Sequence, residues 1–213
     1  MEPRELAELV IERVVNYCEH NSGDTPLECL ADHSPDQLDV FIDAYLKGRE
    51  AEELEKAVEN SDTFWDEVKK EYEALWNEEM SLELGRVLSD EMEALYEEIV
   101  QNDLISDSTK VKRLKAYKEV LEQFADAIDR ALNEKKPLTE VELLHWYDKM
   151  GDAVFGLKNY NYYEIMGYYI GFYNGLNDDQ KLELLSGLLD VIGDVLYDID
   201  KELSELEALT NQS

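Results

Sequence analysis

Residues 177–206, NDDQKLELLSGLLDVIGDVLYDIDKELSEL, set Leu182, Leu185, Leu189, Ile192, Leu196, Ile199, Leu203 and Leu206 at alternating steps of three and four. That period is a helical seam. Leu184, Leu188, Val191 and Val195 widen it in the first half into a stripe broad enough to face a core. Asn177-Asp178-Asp179-Gln180 supplies a start signal. Past Tyr197 the stripe narrows to a coiled-coil edge. The first half is therefore expected in a bundle core. The second half either packs on its own bundle or pairs with a second copy of the chain in a homodimer.

The same period recurs upstream. Residues 61–104 contain no Pro and one Gly, Gly85, and carry Trp65, Val68, Tyr72, Leu75, Trp76, Met80, Leu84, Val87, Leu88, Met92, Leu95 and Ile99. This predicts one long helix, or two broken near Ser81 or Gly85, since over forty residues is long against a mean of about 11–12. Shorter helices are expected from Pro3 to about Glu19, from Pro26, after a Ser34-Pro35-Asp36-Gln37 capping box up to Gly48, over 49–60, over about 110–133, and after Thr139-Glu140-Val141-Glu142. This last helix is given Val141, Leu144, Val154 and Phe155 as its apolar face. Residues 20–25 read as a loop. Residues 160–173 hold six Tyr and one Phe, with Gly167, Gly171 and Gly175 four apart, a spacing that suits close helix approach. No segment has strand period. The expected fold is all-α, a multi-helix bundle with a long acidic central helix and a long C-terminal heptad helix. Residues 1–105 read as a strongly acidic helical region and 106–213 as a helical region with the Tyr-rich segment and the C-terminal heptad helix, joined by a polar linker at 102–109 or continuous as one domain.

Charge is the strongest functional signal. The 213 residues hold 51 acids and 20 bases, a formal charge of −31. Solubility needs a net charge of only about 2–8 in a small domain, and this excess repels itself. Such a surface disfavours nucleic acid and anionic membranes and attracts basic proteins. Fourteen Lys against six Arg argue against a halophilic origin. Residues 1–105 hold 30 acids and 8 bases. Their like-charged i,i+4 pairs, Glu8/Glu12, Asp39/Asp43, Glu55/Glu59, Asp62/Asp66, Glu67/Glu71, Glu79/Glu83 and Glu93/Glu97, each cost roughly 0.2–0.5 kcal/mol. The bases Lys110, Lys112, Arg113, Lys115 and Lys118 read as an internal counterweight.

Glu67, Glu71 and Glu78 form one surface row on the long helix, and Asp90, Glu93 and Glu97 another. Neighbours on such a row lie about 5–6 Å apart, within reach of the roughly 3.4 Å charge spacing per strand of a DNA duplex. The expected function is therefore a protein-binding module. It acts by charge mimicry on a basic, nucleic-acid-binding partner, as anti-restriction and anti-CRISPR inhibitors do, with no direct nucleic-acid or membrane contact. The alternative is a structural or chaperone-like adaptor that binds through the Tyr-rich and heptad faces.

Chemistry has less support. Cys18, His20, Cys29 and His33 have the ligand types of structural zinc, but Cys-x-His-x8-Cys-x3-His fits no known zinc spacing, and Cys18 continues the apolar row from Val14. No cofactor is expected. Glu142-x-x-His145 lacks the second copy that a di-iron bundle needs. Glu119-x-x-Glu122 is half of the magnesium motif of all-α pyrophosphohydrolases, so a metal-dependent hydrolase ranks third and no enzyme is expected. Two Cys do not make a disulfide scaffold. With no signal-peptide blocks and no apolar run of membrane length, the expected setting is the cytoplasm.

Overall fold

The computed structural model describes residues 1–21 and 23–211. Ser22, inside the expected 20–25 loop, and the last two residues lie outside the described residues. Every regular element among the described residues is helical, which makes the fold an all-α multi-helix bundle. No helix among them is long and apolar enough to cross a membrane. The chain divides into two compact units, Met1–Glu83 and Leu84–Ser213. This division falls within the long helix, not at the polar linker of residues 102–109.

The first unit holds α1 (Pro3–His20), α2 (Pro26–Asp32), a 3₁₀ turn at Pro35–Gln37, α3 (Leu38–Tyr45), α4 (Arg49–Asn60) and the start of α5 (Phe64–Val100). Pro3 fills the first turn of α1, and Glu5 bonds back to the Glu2 amide at 3.0 Å. The α1 stripe of Leu6, Ala7, Val10, Ile11, Val14 and Cys18 is buried. Two aromatic side chains of α5 close the end of α2: the Tyr72 hydroxyl donates to the His33 carbonyl and the Trp76 indole N–H to the Leu30 carbonyl, each at 2.7 Å. The last carbonyls of a seven-residue helix have few helical partners; the Leu30 carbonyl accepts the His33 amide at 3.0 Å and the Trp76 indole as a second donor, while Tyr72 serves the carbonyl of the C-cap residue His33. The Ser34 side chain makes no cap. Pro35–Gln37 closes as a 3₁₀ turn instead, and α3 starts only at Leu38. Gly48, expected to stop α3, does not: α3 ends at Tyr45 with Leu46 as its C-cap, and Gly48 at φ +62° stands as the N-cap of α4, a conformation that favours glycine.

The second unit holds the rest of α5, α6 (Asp107–Glu134), α7 (Glu140–Phe155), α8 (Tyr160–Gly171), a 3₁₀ turn at Phe172–Gly175 and α9 (Asp178–Asn211). α5 runs unbroken through Ser81 and Gly85. A single Gly costs a helix only about 1 kcal/mol, and buried Met80, Leu84, Leu88, Met92, Leu95 and Ile99 hold it on both sides of that point. Three buried tyrosines pin the core. Tyr117 donates to the Met92 carbonyl at 2.6 Å, Tyr147 to Leu88 at 2.7 Å and Tyr173 to Leu138 at 2.6 Å.

Val154 is buried as expected, but the rest of the buried stripe of α7 is Leu143, Tyr147 and Met150, rotated from the face expected for it: Leu144 and Phe155 are half-buried and Val141 is 76% exposed. Tyr147 decides this: with its hydroxyl bonded internally, its ring is a better core residue than a valine at the first turn. The close helix approach is also elsewhere than expected. A Cβ on Gly167 or Gly171 would meet only ordinary contacts at 3.9 Å, whereas one on Gly151 of α7 would meet the Tyr162 ring at 2.6 Å. The α9 seam is mostly buried inside the chain. Of its residues Leu185, Ile192, Ile199, Leu203 and Leu206 are buried, past Tyr197 as well as before it, with Leu184, Leu188 and Val195 beside them, while Leu182, Leu189 and Leu196 are half-buried. Lys118–Asp200 (2.7 Å) and Lys115–Glu207 (3.3 Å) tie α6 to α9 beside them.

Candidate partner-binding surfaces

The six acids singled out on α5 occupy two environments. In the first unit, Glu67 and Glu78 are exposed and Glu71 is half-buried. Glu67 and Glu71 share a shallow cleft with Arg4 and Lys70, and Arg4, bonded to Glu8 at 2.9 Å, also feels the charge of Glu71. This row is partly neutralised. In the second unit, Asp90, Glu93 and Glu97 are all exposed, and no ion pair holds any of them among the described residues.

A further row, missed in the sequence, lies beside the second one. Tyr96 of α5 donates to the Asp198 carbonyl of α9 at 3.4 Å. Its ionisation is pushed up first by burial and then by Glu202, Asp198, Glu205 and Glu97, which surround it. On α9, Asp198 and Glu205 are exposed and Glu202 is half-buried, and none of the three forms an ion pair among the described residues. Their 4,3 spacing was readable, but only the packing of Tyr96 shows that they border Glu97. Three of the five counterweight cations are engaged elsewhere. Lys110 donates to the Val100 carbonyl at 2.9 Å and so caps α5, while Lys115 and Lys118 neutralise Glu207 and Asp200.

The four residues weighed as zinc ligands do not assemble as a set of four. Cys18 and Cys29 are joined by a disulfide, with Cα atoms 5.5 Å apart, which corrects the reading of the cysteines as separate core residues or thiolate ligands. The spacing gave no sign of this, because the pairing depends on α2 folding back onto α1. His33 comes within 4.8 Å of both sulfurs. His20 stands apart, its Nδ1 2.8 Å from the Asn16 carbonyl. His33 is committed at both ring nitrogens. Its Nδ1 lies 2.7 Å from the Cys29 carbonyl, which can only accept, so the proton sits there. Its Nε2 then accepts from the Tyr45 hydroxyl at 2.7 Å. Sulfurs bonded to each other offer no thiolate to a metal.

His145 is exposed beside Trp146, and Glu122 lies 3.9 Å from Lys118. Among the described residues neither joins a carboxylate cluster suited to catalysis. Comparisons with protein-family models, curated proteins and solved structures return no match, so the surfaces themselves carry the functional reading.

Proposed function

We propose that this chain is a binding protein that occupies the nucleic-acid site of a basic partner. The observation that carries this reading is the double acidic surface of the second unit: Asp90, Glu93 and Glu97 on α5 beside Asp198, Glu202 and Glu205 on α9, all but the half-buried Glu202 exposed. Like charges on neighbouring helices oppose packing. Their retention without neutralising cations makes sense where a cationic groove supplies the missing charge. The acids stand in for phosphates, and the net charge of −31 steers the encounter. Glu67, Glu71 and Glu78 add to the field from the first unit. By analogy of charge, inhibitors of restriction or CRISPR systems work in this way.

The test is a capture from lysate at low and high salt, with duplex DNA or RNA as competitor, followed by titration of the recovered partner. We expect salt-sensitive binding that nucleic acid displaces. Replacing Asp90, Glu93, Glu97, Asp198, Glu202 and Glu205 by their amides should weaken it at least about tenfold. Binding that survives both high salt and nucleic acid would sink the reading. It would favour an adaptor instead, for which the exposed Leu157, Tyr160, Ile165 and Tyr168 offer a surface. A cytoplasmic setting, where such partners work, keeps thiols reduced. Thiol trapping of Cys18 and Cys29 in cells decides it: free thiols support the cytoplasm, and an intact disulfide places the protein in an oxidising compartment.

A further inference from the structure

The turn between α7 and α8 holds a cation in an aromatic and acidic cup. The Lys158 ammonium lies 2.8 Å from Asp148 Oδ2, 5.2 Å from the ring centre of Tyr163 and 6.0 Å from that of Tyr160. Rings within about 6 Å of a cation attract it through their negative faces. The Asp148 side chain is only 18% exposed, whereas that of Lys158 is 43% exposed. The carboxylate is thus fixed in the wall and the lysine sits at the mouth. Asp152, one turn further along α7, adds its charge to the same ammonium. Leu157, the residue before Lys158 in the same turn, is 67% exposed. This apolar surface suits the methylene stem of a long cationic residue.

We propose that this cup is a recognition site for an arginine side chain of the basic partner, which displaces Lys158. A guanidinium stacks on tyrosine faces and bonds a carboxylate through two N–H groups, where the ammonium presents a point charge. Exchange of one cation for another leaves the charge of the cup unchanged, and Lys158 moves into solvent. Lys158 acts as a tethered competitor that sets a threshold for binding. The inference rests on the proposed function for the class of partner. It adds a specific anchor to a field that by itself attracts any polycation.

The experiment titrates a fluorescent penta-arginine peptide onto the full chain at about 150 mM NaCl, where surface charges are screened beyond roughly 8 Å. Lys158→Ala frees the cup and is expected to tighten binding roughly five- to tenfold. Lys112→Ala removes the same charge from an exposed position of the same unit and is expected to change affinity less than about twofold. Adding Tyr160→Ala and Tyr163→Ala to Lys158→Ala should abolish the gain. Equal effects of Lys158→Ala and Lys112→Ala would reduce the matter to net charge and overturn the site. A second measurement needs no variant. On the unaltered protein, the ring protons of Tyr160 and Tyr163 should shift as the peptide is added, and unmoved rings overturn the site as well. The amide variants of the α5 and α9 rows separate the two ideas. If they bind the recovered partner normally, mimicry fails, whatever the cup does with arginine.

Discussion

Gly151 in α7 and Gly187 in α9 are both helical glycines of the second unit, yet a methyl group is expected to act at them with opposite sign. Around Gly187 nothing lies within 4 Å of the added carbon. Alanine there removes the conformational freedom of glycine from the unfolded chain and should stabilise by about 0.5–1 kcal/mol. At Gly151 the same carbon would meet Tyr162 Cδ1 at 2.6 Å and Cε1 at 2.8 Å. That ring is 8% exposed and also meets Phe155 edge-on at 5.7 Å, so it has little room to yield. Overpacking of this kind costs about 1–3 kcal/mol, more than the helix propensity returns. Urea unfolding of the two single variants measures both. A Gly151→Ala protein as stable as Gly187→Ala would show that α8 is free to shift away from α7.

At the scale of elements, the disulfide makes the α1–α2 pair a covalent unit. Cys18 and Cys29 are separated by 11 positions. Closing a loop of that length removes unfolded-state entropy worth about 3 kcal/mol. Reduction with a phosphine should therefore lower the thermal midpoint clearly, and a Cys18→Ser/Cys29→Ser protein should match the reduced form. An unchanged midpoint would mean that the buried contacts of Leu27 and Leu30 hold α2 without the bond.

Elements and chemistry differed in how legible they were. The start of α7 was readable because Thr139 needs only a residue three positions on, and its hydroxyl does accept from the Glu142 amide at 3.2 Å. The start of α9 was readable for the same reason: Asn177 and Gln180 bond each other's backbone amides. The rotation of α7 was not, because the value of Tyr147 as a core residue depends on a carbonyl 59 positions away. The acids on α5 could be placed from helical period alone. The disulfide, the α9 row and the Lys158 cup each join residues whose nearness depends on packing or on a turn.

Over the whole molecule the acids make an unusual pH dependence. Burial raises the carboxyl of Glu91 above its ordinary 4.5, partly offset by the Tyr162 hydroxyl. Burial, and then the charges of Glu78, Glu83 and Glu19, raise Glu79. Burial and Asp148 raise Asp152. A carboxyl raised in the folded state binds its proton more tightly there than in the unfolded chain. Its penalty is full above the folded value, fades as pH falls through it, and is gone below the unfolded value. The opposite case is Glu50, lowered mainly by its hydrogen bond from Arg13. Its contribution is lost only as pH drops below 4.5, outside that window. The thermal midpoint should thus rise as pH falls from about 7 towards about 5. It should rise again near neutrality when about 0.5 M NaCl screens the exposed rows. Scanning calorimetry across that grid checks both effects. A midpoint that falls with acid and ignores salt would mean that the acids are compensated within the fold. The case for a cationic partner would then lose its physical basis, since a chain that has already neutralised its own charge has none left for a basic groove.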